Sequence, residues 1–501
     1  MGEAIVSLKN VGVEYRQETG TPVTALTAIN LELYRGEKIA VYGPNGSGKS
    51  TLLRIMAGLE RPAHGTATIF GHPTTTGELP ADIRQCIGFV FQNPEDVFAT
   101  ETVGEEIQFA LECRDNESLP ESRNLTIILD KFNLTHLAGR KLARLSGGEK
   151  QQVALASVLA VAPEMIFLDE PTSYLDPPSR REFLQSPVFN DPPREHTTIL
   201  VTQYWAEART HDRVLILDRG RIIHDGPPDT YTLEEKQNTS TFIEFDDNWL
   251  TAVAAPLADP LLVVDNLRQT APVFPGELIH PLQDISYTVR PGERVGIVGP
   301  TGAGKSTLAY HLAGLMPGHA GTIAIAGEKV SGKKKKSKRP PVALLFQNPD
   351  HHLFAETVAQ DVAFGPRNVG IPRKTITTHV DRSLKLAGLP PDIFGPRSPF
   401  EISGGEQRKA ATAGTLAMPA EVYIFDEPTA YLDCESAAQI EALLLSLAAA
   451  GKAVLVISHD LPFLRRTCPR WLILDRGKLI YDGTLEQINR DQTPLQKIGF
   501  V

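Results

Sequence analysis

"GPNGSGKSTLLRIMAGL" at residues 43–59 and "GPTGAGKSTLAYHLAGL" at residues 299–315 decide the reading of this chain. Each follows a short run rich in Val and Ile, "KIAVYG" or "RVGIVG", that reads as a strand. Each ends in apolar residues at helical spacing. Strand, GxxxxGK[ST], helix is the pattern of a nucleotide phosphate loop. Its glycines let backbone N–H groups close around phosphate oxygens, and the helix N-terminus adds about half a positive charge. The candidate cradles are therefore Gly43, Pro44, Asn45, Gly46, Ser47, Gly48, Lys49, Ser50 and Thr51, and Gly299, Pro300, Thr301, Gly302, Ala303, Gly304, Lys305, Ser306 and Thr307. Lys49 and Lys305 are expected to reach the β- and γ-phosphates of ATP, with Ser50 and Ser306 binding Mg2+.

Four further blocks repeat at about the same offset, in the same order. "FVFQNPEDVFATETVGEEIQFAL" (89–111) pairs with "LLFQNPDHHLFAETVAQDVAFGP" (344–366), and "LSGGEKQQVALAS" (145–157) with "ISGGEQRKAATAG" (402–414). "MIFLDEPTSYLD" (165–176) pairs with "YIFDEPTAYLD" (423–433), and "RVLILDRGRIIHDG" (213–226) with "RWLILDRGKLIYDG" (470–483). A chain of 501 residues is too long for one hydrophobic core, and the repeat marks a duplicated domain. The expected organisation is a first domain at 1–228, an acidic linker at 229–258, possessing no counterpart elsewhere in the chain, and a second domain at 259–501. The run "SGKKKKSKR" (331–339) reads as a solvated hairpin tip.

"MIFLDE" and "VYIFDE" are apolar runs ending in paired carboxylates. A buried strand delivers both acids beside the phosphate loop. Asp169 and Asp426 can hold Mg2+, and Glu170 and Glu427 are placed to polarise an attacking water. Together, "SGGE", "DEPT" and the glutamine of "FQNP" resemble the ATP-binding cassette ATPases over nearly the whole chain. That resemblance implies an α/β fold of two tandem P-loop NTPase cassettes, each with a RecA-like mixed sheet, an antiparallel β subdomain and a helical subdomain. It also implies that two cassettes face each other head to tail. One ATP would then lie between the phosphate loop of one cassette and the "SGGE" segment of the other. Site one would use Lys49, Ser50, Gln92, Asp169, Glu170 and Gln203, closed by Ser403, Gly404, Gly405 and Glu406. Site two would use Lys305, Ser306, Gln347, Asp426, Glu427 and His459, closed by Ser146, Gly147, Gly148 and Glu149. Gln92 and Gln347 are candidates both for magnesium and for catalysis.

The halves differ at the switch position. The resemblance gives His459 a contact with the γ-phosphate and the catalytic glutamate. Gln203 can donate and accept hydrogen bonds, yet it cannot become a cation near neutral pH. Site two is expected to turn over faster. Tyr15 fits the family's adenine-stacking aromatic, whereas the parallel residue is Ala271, with Phe274 nearby.

The "FQNPDHHLFAETVAQDVAFGP" block looks like the ATPases of energy-coupling factor importers of vitamins and transition-metal ions. By that resemblance the partners are a membrane scaffold (T-type) subunit and a small substrate-capture membrane subunit, with the chain peripheral on the cytoplasmic side of the cell membrane. Glu105, Glu106 and Asp361 are candidates for meeting the scaffold. Another importer, or a ribosome-associated tandem-cassette factor, is the alternative; the latter typically carries a long, charged helical linker.

The remaining features are restrictive. The net charge of −10 gives no overall basic footprint for nucleic acid. No apolar run reaches the ~18 residues of a membrane span, and the N-terminus lacks a signal-peptide pattern. The four cysteines are scattered without a CxxC and read as reduced thiols. His351 and His352 read as loop residues rather than as a metal site.

Overall fold

The computed structural model of the chain describes residues 4–16, 22–44, 46–74, 79–113, 124–145, 147–173, 175–186, 189, 196–231, 259–269, 282–316, 318–330, 342–347, 352–430, 432 and 434–500. It divides into two compact units, Met1–Glu235 and Lys236–Val501. Most of the linker (232–258), the basic run at 331–339, Asn45, Ser146, Ala271, Phe274 and His351 lie outside the described residues.

In the first unit, β1 (Ala4–Arg16), β2 (Pro22–Tyr34), β4 (His64–Ile69) and β5 (His72–Pro73) form an antiparallel sheet in the order β2-β1-β4-β5. The core sheet contains β3 (Lys38–Tyr42), β6 (Ile87–Val90), β7 (Met165–Asp169), β8 (Thr197–Thr202), β9 (Arg213–Asp218) and β10 (Arg221–Gly226), in the order β10-β9-β3-β8-β7-β6. Its strands run parallel except for β10. Every residue of β7 and β8 is buried, as expected of parallel strands covered on both faces.

The second unit repeats this plan. Its antiparallel sheet has the order β12-β11-β14-β15, from β11 (Leu262–Gln269), β12 (Ile285–Val289), β14 (His319–Ile325) and β15 (Glu328–Lys329). Its core sheet has the order β16-β17-β18-β13-β19-β20, from β13 (Arg294–Val298), β16 (Val342–Leu345), β17 (Val422–Asp426), β18 (Ala453–Ile457), β19 (Arg470–Asp475) and β20 (Lys478–Thr484). The mixed core sheet, antiparallel sheet and helical part expected from the sequence are all present in each unit.

The helical part of the first unit comprises helices Val103–Glu112, Leu125–Lys131 and Gly147–Ala160, joined through an apolar cluster that includes Ile107, Leu129 and Leu155. In the second unit the helices are Val358–Asn368, Arg373–Leu386 and Gly404–Leu416, joined through Val362, Leu384 and Ala413. Here one expectation is corrected. Glu106 and Asp361 do not face outward. Glu106 accepts the amides of Ala99 and Thr100, each at 3.0 Å, and the Thr100 hydroxyl at 2.9 Å. Asp361 accepts the amides of Phe354 and Ala355. Each acid closes the loop ahead of its own helix and satisfies buried backbone donors. Glu105 is exposed and completes a capping box with Thr102.

Among the described residues, no helix is long and apolar enough to cross a membrane.

Candidate nucleotide site

The C-terminal ends of the parallel strands gather the candidate residues. The loop after β3 leads into helix Lys49–Met56, and the loop after β13 into helix Lys305–Leu312. Gly48 and Gly304 cap these helices at φ of 97° and 99°, a left-handed geometry that a side chain would strain. Lys49 Nζ donates to Pro44 O at 3.0 Å. Lys305 Nζ donates to Gly299 O at 2.6 Å and Pro300 O at 3.0 Å. Both ammonium groups are thus buried inside the loops that precede them. Tyr15 stands beside the first of these helices; its hydroxyl donates to Glu60 at 2.7 Å and lies 3.2 Å from the Thr51 hydroxyl.

The serine that follows each lysine meets the acid at the end of the neighbouring strand. Ser50 Oγ donates to Asp169 at 3.0 Å, and Ser306 Oγ to Asp426 at 2.7 Å. Burial pushes Asp169 up to about 6, although Ser50 opposes the shift. Burial likewise raises Asp426. A hydroxyl and a desolvated carboxylate are hard oxygen donors, and a divalent cation would relieve the cost of holding the carboxylate charged. The residues present therefore fit Mg2+.

Glu170 and Glu427 follow directly, both with left-handed backbone, at φ of 44° and 50°. Their amides bond to the adjacent strand, Glu170 to Val201 O and Glu427 to Ile457 O. Their side chains are held differently. Glu170 Oε2 accepts from Gln203 Nε2 at 3.1 Å, from Ser173 Oγ at 3.0 Å and from Gln92 Nε2 at 3.5 Å, and Lys49 Nζ lies 3.6 Å from Oε1. Glu427 Oε2 accepts from Ser458 Oγ at 2.9 Å, while His459 Nε2 stands 3.6 Å from Oε1. Burial first, and the Asp426 charge second, push Glu427 up to about 8. The Phe500 ring packs near the His459 ring at a centroid distance of 6.0 Å.

Gln203 and His459 occupy matching places, as the repeat implied. The surroundings add three differences that the sequence reading passed over. Ser173 is replaced by Ala430 in the second copy. Thr202 and Ser458 match, yet Thr202 Oγ1 donates to Glu207 at 2.6 Å rather than to the glutamate beside the phosphate loop. Glu207 also accepts from Thr172 at 2.8 Å and Arg180 at 2.5 Å, whereas its counterpart in the second copy is the buried Phe463. Finally, Gln151 matches Arg408. Aligning the blocks residue by residue beyond the motif letters would have exposed all three.

Ser403 caps helix Gly404–Leu416: its amide donates to Glu406 at 2.8 Å and its hydroxyl accepts the Glu406 amide. Gly404, Gly405 and Glu406 form the first turn, and Gly147, Gly148 and Glu149 do so in helix Gly147–Ala160. Gln347 is exposed just beyond β16. His352 is a structural loop residue, with its Nε2 accepting the Phe346 amide at 3.0 Å.

A family model described as "ABC transporter" matches residues 26–173 and 282–430. A Bifidobacterium longum protein, provisionally named an ABC transporter ATP-binding protein, is 33% identical over 90% of this chain, which spans 63% of that protein's length. A Bacillus subtilis protein, provisionally named an HMP/thiamine import ATP-binding protein, is 32% identical over 93% of this chain and 90% of its own length. Among solved structures, cbiO1 from Clostridium perfringens, described as part of the ABC transporter complex cbiONQ, is 29% identical, covers 46% of this chain and 90% of its own, and has a TM-score of 0.39.

Proposed function

This chain belongs to the ABC transporter family, and on that premise we propose that it is the ATP-hydrolysing energy-coupling subunit of an importer of the energy-coupling factor type. The cargo class is a vitamin, a vitamin precursor or a transition-metal ion. The name of the Bacillus subtilis relative, which refers to HMP/thiamine import, supports the vitamin branch. The duplicated cassette gives the chain two ATP sites, each completed, as the family resemblance implies, by the "SGGE" segment of the other cassette.

The carrying observation is the convergence of Lys305, Ser306, Asp426, Glu427 and His459 at the ends of adjacent parallel strands, with a matching set in the first unit. Lys305 leaves its loop carbonyls to meet the phosphates. Ser306 and Asp426 would hold Mg2+, which would neutralise phosphate charge when bound. Glu427 orients the attacking water and takes up its proton, and His459 donates to the γ-phosphate. Glu170, fastened by Gln203 and Ser173, makes the first site the slower of the two.

The chain docks peripherally on the cytoplasmic face of the membrane through a scaffold subunit. Exposed aromatic side chains on the helical parts support this reading. Phe354 and Phe364 pack edge to face at 4.7 Å while remaining 58% and 48% exposed. Co-purification of the tagged chain from its native cells in mild detergent tests the proposal. A polytopic membrane protein with a smaller apolar partner is expected; ribosomal proteins without a membrane partner would overturn it.

A further inference from the structure

Arg408 is 0% exposed, and its guanidinium makes four hydrogen bonds inside the second unit. It projects from the second turn of helix Gly404–Leu416. One guanidinium nitrogen donates to Phe346 O at 2.6 Å and Gln347 O at 2.9 Å. The other donates to Asp426 O at 2.6 Å and Glu427 O at 2.5 Å. A single side chain therefore ties the "SGGE" helix to two backbone segments, the one carrying Gln347 and the one carrying the acid pair. The planar fork of arginine suits such a task, since its donors are fixed relative to one another.

The matching residue of the first unit does not make this brace. Gln151 occupies the matching turn of helix Gly147–Ala160 and is 1% exposed, yet neither its amide nitrogen nor its carbonyl oxygen has a hydrogen-bond partner. Its side chain is shorter and offers one donor group in place of a fork.

We infer that Arg408 is a positioning residue for hydrolysis in the second cassette, holding the backbone of Gln347, Asp426 and Glu427 in working geometry, and that Gln151 deprives the first cassette of the same brace. The inference rests on the ATPase reading above. Glu427 sits at a φ of 50°, the same left-handed conformation that Glu170 keeps at 44° in the unit that carries Gln151, so what Arg408 adds is a fixed position for the carbonyls rather than the conformation itself. The carbonyls of Asp426 and Glu427 are the atoms that Arg408 grips. Loss of the grip leaves the carboxylate in the cassette but frees its direction.

The test uses the full chain and four variants. Arg408→Lys keeps a buried cation but cannot span four carbonyls. It is expected to lower kcat for ATP by about tenfold to a hundredfold, with KM and the affinity for a fluorescent ATP analogue nearly unchanged. Arg408→Gln, which copies the first cassette, should fall at least as far. Gln151→Arg is made in a Glu427→Gln background, where the remaining turnover belongs to the first cassette, and turnover is expected to rise. Amide exchange of the unmodified chain supplies a measurement that needs no variant: segments 344–347 and 424–427 should exchange more slowly than 89–92 and 167–170. Unchanged kcat in Arg408→Lys, no gain in Gln151→Arg, or equal exchange in the two units overturns the inference. A wild-type chain without ATPase activity, or one indifferent to Glu427→Gln, would instead overturn the ATPase reading itself.

Discussion

Glu207 is a buried acid of the first unit that accepts from three other side chains, and its removal has a calculable cost. The side chain is 3% exposed and accepts from Thr172, Thr202 and Arg180. Thr202 in turn accepts the Tyr204 amide at 3.1 Å, and the Arg180 guanidinium lies 3.4 Å from the centre of the Tyr204 ring. The network thus brackets Gln203 on both sides. Glu207→Ala would strand a cation and two hydroxyls. Breaking one partner of a buried pair costs roughly 3–5 kcal/mol. Arg180 is 23% exposed and can recover some water, so the lower end, about 3 kcal/mol, applies. For a unit of this size that is a fall of roughly 6–12 °C in the midpoint of the first cassette's transition. Calorimetry of the full chain measures it, with the second cassette's transition as an internal reference. The repeat offers a control. At these places the second copy carries Ala437 and Phe463, an apolar solution to the same packing problem. Arg180→Ala with Glu207→Phe should therefore recover most of the loss, since replacing a whole buried pair by apolar groups is often neutral. A Glu207→Ala shift below about 1 kcal/mol, or a double variant as unstable as the single one, would refute the reasoning.

Three further outcomes are expected. Glu427→Gln should remove a larger share of ATP turnover than Glu170→Gln, measured by phosphate release; equal losses would remove the asymmetry between the sites. Gly299→Ala places a methyl group 2.3 Å from Leu474 O, and backbone cannot yield as a side chain can. It should cost about 1–3 kcal/mol in thermal stability and weaken nucleotide binding by the second cassette. Phe354→Asp combined with Phe364→Asp should abolish recovery of the membrane partner in detergent pull-downs while leaving nucleotide affinity intact; unchanged recovery would move the docking surface elsewhere.

The phosphate loops, acid pairs and switch residues were legible because their chemistry demands particular side chains at fixed, short spacings. The doubled sheet plan followed from the duplication, since each repeated block brought its strand or helix with it. What stayed hidden was decided by residues distant in sequence. Whether the hydroxyl at 202 or 458 serves the glutamate beside the phosphate loop depends on whether 207 or 463 is acidic or apolar. Glu106 and Asp361 looked like surface acids at helix N-termini, a placement that the helix dipole favours. Only the fold shows that the preceding loops bend back and present their amides to them. The role of Arg408 was masked for the same reason, because its acceptors lie at and just beyond the C-terminal ends of β16 and β17 rather than in its own helix.

The buried guanidinium of Arg408 also carries a message about the order of assembly. A cation cannot leave water until its replacement ligands are in place, because desolvation without them costs several kcal/mol. Its four carbonyl ligands belong to two segments that are adjacent only after β16 has paired with β17. Helix Gly404–Leu416 can form early on local contacts, but it can seat itself against the sheet only once that pairing exists. On a refolding time course, sheet closure in the second cassette should precede docking of this helix, whereas helix Gly147–Ala160, with no charge to bury at that turn, is free to dock sooner.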